Sequence, residues 1–178
     1  MVTNFTNPES NIPHLYLHEG MSVADIGAGT GAYVLAVARK VGSSGRVYAI
    51  DVQRDLLTRI STEAREAHLS NVHVLGGDAE CLGGTKLPDV SVDAVIISNM
   101  MFLAEEKKNV VSETRRILKK GGRVMLVDWA DSFGGVGPHP DMVLPREEGA
   151  RLFVDGGFTI KERFDAGAYH YGFIFEKQ

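Results

Sequence analysis

The stretch ADIGAGTGAY, residues 24–33, carries an apolar run straight into three closely spaced glycines and then into a helical pattern. Lacking a Cβ, Gly27, Gly29 and Gly31 permit a tight turn, and their N–H groups can approach a ligand beside the positive end of a helix. The next strand-like run, RVYAID (46–51), ends on Asp51, 24 residues beyond Gly27. A carboxylate there can accept two hydrogen bonds from a ribose diol. Together the two features describe a nucleoside-containing cofactor lying over the carboxyl ends of parallel strands.

Outward from this turn, short apolar runs alternate with amphipathic ones, the pattern of β/α units around a mostly parallel sheet. SVADIG (22–27), RVYAID (46–51), NVHVLG (71–76), VDAVIIS (92–98) and GRVMLVD (122–128) read as buried strands. Residues 32–41, 54–69 and 104–118 read as helices, and 79–91 as a short helix or loop. ADSFGGVGPHPDM (130–142) is a Gly/Pro-rich loop, and 145–154 reads as a helix with proline at its start. GFTIKERF and YHYGFIFEK, joined by DAGA, read as a final antiparallel hairpin. The expected fold is a Rossmann-like α/β sandwich of seven mostly parallel strands, with helices on both faces and an antiparallel C-terminal hairpin. Residues 1–178 are expected to form one domain, with 1–20 covering the site and 130–144 forming the acceptor-side loop.

Composition narrows the class. The 178 residues include 44% hydrophobic and 24% charged side chains, with a formal charge of −4, which excludes disorder and fibrous repeats. Apolar stretches such as 124–127 are far shorter than the roughly 20 residues of a membrane span, and the N-terminal MVTNFTNPES is polar. Cys81 is the only cysteine, so neither an internal disulfide nor a multi-thiolate metal site is expected, and a reducing cytoplasm is the expected setting.

GAGTGA also satisfies the dinucleotide pattern G-x-G-x-x-G/A. Asp25, two residues before Gly27, distinguishes the cofactors. A carboxylate suits a ligand carrying an ammonium group and repels a pyrophosphate. S-adenosylmethionine has the first and NAD the second.

VADIGAGTG, VYAID, GGDAE (76–80), VDAVIISNMMF (92–102) and LKKGGRVMLVDW (118–129), in this order, resemble the class I S-adenosylmethionine-dependent methyltransferases of the small-molecule and quinone type. The resemblance implies S-adenosylmethionine as cofactor and S-adenosylhomocysteine as product. It implies that Asp25 and the turn of Gly27, Ala28, Gly29, Thr30 and Gly31 hold the methionine part, and that Asp51 binds the ribose hydroxyls. Val52 would pack on adenine. Asp78 would accept from the adenine amino group, with Gly77 preceding it and the Ala79 N–H nearby, and Ser98, Asn99 and Met100 would floor the region of the reactive methyl. Displacement from a sulfonium releases a neutral leaving group, so alignment matters more than an oxyanion hole, and a general base is needed only if the acceptor must lose a proton early.

SNMMF (98–102) lacks the Asn/Asp-Pro-Pro-aromatic motif of amino-group methyltransferases, no Pro-Cys nucleophile is present, and a lone Cys81 argues against arsenic as acceptor. The negative charge argues against nucleic acid. The expected partner is a small-molecule or lipid-like acceptor. Asp128, His139 and His170 are the candidate catalytic side chains, with Trp129, Tyr169 and Tyr171 nearby, and no metal is expected. TRRILKK (114–120) reads as a solvated helix face. Two alternatives are a nicotinamide-binding oxidoreductase and a non-catalytic, cofactor-binding scaffold subunit.

Overall fold

Strands whose side chains are apolar on both faces must be covered on both, and the fold does this with helices. The computed structural model describes residues 6–178; the first five residues of the N-terminal segment lie outside the described residues. Seven strands, β1 (Ser22–Ile26), β2 (Arg46–Asp51), β3 (Val72–Gly76), β4 (Val92–Ser98), β5 (Leu118–Trp129), β6 (Phe158–Asp165) and β7 (His170–Lys177), form one sheet in the order β3-β2-β1-β4-β5-β7-β6. β1 to β5 pair in parallel, and β7 lies antiparallel between β5 and β6. The expected seven-stranded, mostly parallel sheet with its antiparallel end is therefore present. The strand order reverses between β1 and β4, which opens a crevice above their carboxyl ends.

Successive residues of β1 divide between two cores. Val23 faces α2 (Ala32–Val41), where Val34, Val37 and Val41 bury against Val47, Ala49, Ala94 and Ile96 together with Ile12 and Leu15 of the N-terminal segment. Ala24 and Ile26 face the other way, toward Val110, Val111 and Ile117 of α4 (Lys107–Ile117) and Phe153 of α5 (Arg146–Asp155). Phe153 stacks on Phe175 with ring centroids 4.5 Å apart. α3 (Arg54–Glu66) packs on β2 and β3. The edge strand β6 alternates buried or half-buried with exposed residues, as a strand with one wet face must.

Boundaries moved where tertiary contacts outweighed local pattern. β5 begins at Leu118 rather than 122, because Leu118 pairs with Val92 before residues 119–122 bulge and pairing resumes at Ala94 and Arg123. α4 starts at Lys107, not 104, because the Leu103 and Ala104 N–H groups close a turn onto the Met100 carbonyl. α3 ends at Glu66, where His68 takes a left-handed φ of 57°. Residues 79–91 contain turns and no helix.

The C-terminus of α2 is held by a residue that periodicity did not mark. Buried Asn71 donates from Nδ2 to the Ala38 and Gly42 carbonyls at 2.9 and 2.8 Å. Asn71→Ala is expected to cost about 1 kcal/mol, since two helix-end carbonyls lose their donor; chemical denaturation measures it, and an unchanged midpoint would contradict the clamp.

Candidate functional site

The site grows from the end of β1. After Ile26 the backbone turns through Gly27 at φ 70° and Gly29 at φ 53°, a region that side chains with a Cβ rarely adopt. Gly31, at φ 81°, caps α2, and a Cβ there would lie 2.7 Å from Ile60 Cγ1. The turn is anchored from the neighbouring strand. One Asp51 carboxylate oxygen accepts the Gly29 N–H at 3.0 Å, and the other accepts the Gln53 N–H at 2.9 Å. A carboxylate has about four lone-pair sites, so two remain.

Two hollows adjoin above this turn and share Gly27, Gly29 and Asn99. The first contains Asp51, Val52, Gly77, Asp78, Ala79 and Met100, with Leu103 opposite. Val52 is 65% exposed and Leu103 58%, so the mouth has apolar lips. The second contains Asp25, Ala28, Thr30 and Ser98, with Thr6, Pro8 and Tyr33. Thirteen of the fourteen residues expected to bind cofactor line one of these hollows; Gly31, the cap of α2, lines neither.

Asp25 is the electrostatic anomaly. It is 2% exposed and, among the described residues, has no ion-pair partner. Burial, with the Asp51 charge adding to it, pushes its carboxyl up to about 8. Asn99 is a second anomaly: it adopts φ 53°, and its buried Oδ1 has no hydrogen-bond partner among the described residues.

The catalytic candidates fall elsewhere. Asp128 is fully buried; its carboxylate accepts the Trp129 N–H at 2.8 Å and the Phe102 N–H at 3.2 Å, bracing the turn after β4. Burial raises its carboxyl to about 6, against the lowering effect of those N–H groups and of Lys107. His139 is exposed and accepts from the Asp141 N–H within the 130–142 loop. His170 is buried opposite Trp129 in the β5–β7 register, with the rings 4.3 Å apart. None of the three lines either hollow. Among the described residues, no group of three or more His, Cys, Asp or Glu side chains is placed to hold a metal ion.

Tyr33 was not legible as a site residue, although it follows the glycine turn directly. Its hydroxyl lies 3.0 Å from Thr6 Oγ1 and accepts from Asn11 Nδ2 at 2.8 Å. Asn11 also donates to the Ala166 carbonyl at 3.2 Å, so the start of the described chain is tied across the second hollow to the β6–β7 turn.

A family model described as a methyltransferase domain matches residues 17–137, from before β1 into the loop after β5. The chain belongs to this family. The methyltransferase domain is 28% identical to a crystal structure of an S-adenosylmethionine-dependent methyltransferase from Aquifex aeolicus, with a TM-score of 0.87 over 97% of this chain and 90% of that one. It is 29% identical to the arsenite methyltransferase of Halobacterium salinarum over 80% of this chain and 35% of the relative. It is 28% identical to the demethylmenaquinone methyltransferase of a Geobacillus species over 67% of this chain and 50% of the relative. The chain thus spans a third to a half of the curated relatives it matches. Its cofactor is S-adenosylmethionine, and the nicotinamide alternative is not favoured. No helix among the described residues is long and apolar enough to cross a membrane.

Proposed function

We propose that the domain transfers a methyl group from S-adenosylmethionine to a small, ring-bearing apolar acceptor. The observation that carries this reading is Asp25, a buried carboxyl group with no ion-pair partner among the described residues, at the base of the hollow beside the glycine turn. Burying a charge without compensation is costly, and an ammonium-bearing ligand supplies the missing partner. The orphaned Asn99 Oδ1 offers a further acceptor on the wall shared by the two hollows. Asp51 keeps free lone pairs for a diol, and Val52, Leu103 and Ala79 offer apolar surface for a purine with Asp78 beside it. The residues therefore fit the cofactor.

When bound, S-adenosylmethionine supplies an electrophilic methyl on a sulfonium. The protein's part is to position and to exclude water: Asp25 and the glycine turn fix one end, the Asp78 loop the other, and Asp128 braces the 100–103 turn between them. Such alignment is worth several kcal/mol of barrier without a catalytic base.

An aromatic group where the carboxyl end of β5 meets the amino end of β7 supports an apolar acceptor. Trp129 packs on His170, and Phe133 meets Tyr169 edge to face at 4.8 Å. Phe133 and Met142 are both more than a third exposed on the loop after β5. Arsenite, the substrate in one relative's name, is bound by soft thiolates, and this chain has one cysteine. The quinone-type acceptor in the other relative's name suits the aromatic edge better.

The test is transfer of labelled methyl from S-adenosylmethionine to a prenylated naphthoquinol and, separately, to arsenite with thiol. Labelled quinol and unlabelled arsenic are expected. Methylation of arsenite alone would overturn the acceptor assignment, and failure to bind S-adenosylhomocysteine would overturn the seat itself.

A further inference from the structure

Glu113 lies on α4, outside both hollows, and is fully buried. Its carboxylate collects donors from the loop after β3: Oε2 accepts the Gly83 N–H at 2.7 Å, and Oε1 accepts the Thr85 N–H at 3.1 Å and the Thr85 hydroxyl at 2.5 Å. Arg116, one turn on, donates to both Glu113 oxygens and also reaches Asp89 and the Leu87 carbonyl. Arg116 is thus committed to this hub rather than to the solvated face expected of TRRILKK. Burial alone would raise the Glu113 carboxyl, but the Arg116, Thr85 and Gly83 hydrogen bonds outweigh it and hold it at about 2.

What Glu113 grips is the back of the Asp78 loop. The Gly84 carbonyl accepts the Asp78 N–H at 3.1 Å, and the Gly84 N–H returns to the Cys81 carbonyl at 2.8 Å. A Cβ on Gly84 would lie 1.9 Å from the Asp78 carbonyl oxygen, and one on Gly77 would lie 2.5 Å from the Gly84 carbonyl oxygen. The loop is therefore folded tightly on itself, and its front carries Gly77, Asp78 and Ala79 into the first hollow. Asp78 itself is exposed and, among the described residues, bonds within the loop, accepting the Glu80 N–H at 2.9 Å and facing the Cys81 thiol, so the loop rather than the hollow's wall holds it.

We infer that Glu113 is a positioning residue for the base half of the cofactor, acting through Gly83 and Thr85 on Asp78 and Ala79. The inference rests on the seat proposed above. It predicts an energetic link between Glu113 and Asp78 that is absent between Glu113 and Ser98, which lines the other hollow.

Calorimetric titration of the whole chain with S-adenosylhomocysteine reads this directly. Glu113→Gln is expected to weaken binding about tenfold, and the Glu113→Gln, Asp78→Ala pair to be no more than about threefold weaker than Glu113→Gln alone, because residues acting as one unit are not additive. The losses of Glu113→Gln and Ser98→Ala should multiply. Unchanged binding in Glu113→Gln, or equal multiplication with both partners, would overturn the inference by showing no link or a general loosening. If Glu113→Gln does not fold, Thr85→Val, which leaves the Glu113–Arg116 pair, takes its place with the same expected cycle. Failure of the unsubstituted chain to bind would instead defeat the seat, so the two failures are distinct.

Discussion

Asp25→Asn is expected to weaken S-adenosylmethionine binding about 100-fold near pH 8, because removing one member of a buried charge pair leaves the other uncompensated. The effect is expected to depend on pH in a defined direction. In the free protein the Asp25 carboxyl is raised to about 8 by burial and by the Asp51 charge, so below pH 8 it is mostly protonated. An ammonium beside it favours the ionised form, so binding expels a proton there, and affinity should rise by up to about tenfold per pH unit toward pH 8. The ligand's α-amino group titrates at about 7.7–8.0, so affinity should pass a maximum and then fall. Titration in two buffers of different ionisation enthalpy measures the released proton. The Asp25→Asn variant has no such proton to release, and a wild-type affinity that is flat from pH 6 to 8 would refute the assignment. The same shift acts on folding. Since the carboxyl's pKa rises from 3.8 unfolded to about 8 folded, stability of the cofactor-free domain falls as pH climbs through that interval.

Asp51→Ala should lower cofactor affinity on the order of 30-fold, for two reasons that the structure separates. The carboxylate is the proposed partner of the ribose diol, and it also holds the Gly29 and Gln53 N–H groups. Loss of the first weakens binding, and loss of the second frees the glycine turn. Removing the Asp51 charge also removes one cause of the raised Asp25 carboxyl, so the affinity maximum should move to lower pH. A variant with wild-type affinity and an unmoved maximum would show that the ribose lies elsewhere.

Much of the proposed cofactor seat was legible because it lies at strand ends, and strand ends are marked by local chemistry. Asp25, Asp51 and Asp78 each lie at or near the end of an apolar run, and the glycines of 27–31 cluster where a strand turns into a helix. Tyr33, Asn11 and Glu113 were not legible in this way. Each is an ordinary residue at its own position and matters through partners far along the chain: Asn11 through Ala166, Glu113 through Gly83 and Thr85. Asp128 stood at a strand end like the others, yet its oxygens turn inward to backbone N–H groups of Phe102 and Trp129 instead of facing a hollow.

From residue order alone came the sheet's composition, its parallel majority, the hairpin and the cofactor class, since each depends on periodicity, turn chemistry or a charge at a fixed spacing. Tertiary structure alone decided that β7 inserts between β5 and β6, that β5 starts early on Val92, and that a buried acid on α4 grips the loop behind Asp78. Those outcomes depend on which distant backbone groups find partners once both cores close, and a linear pattern does not encode distance in space.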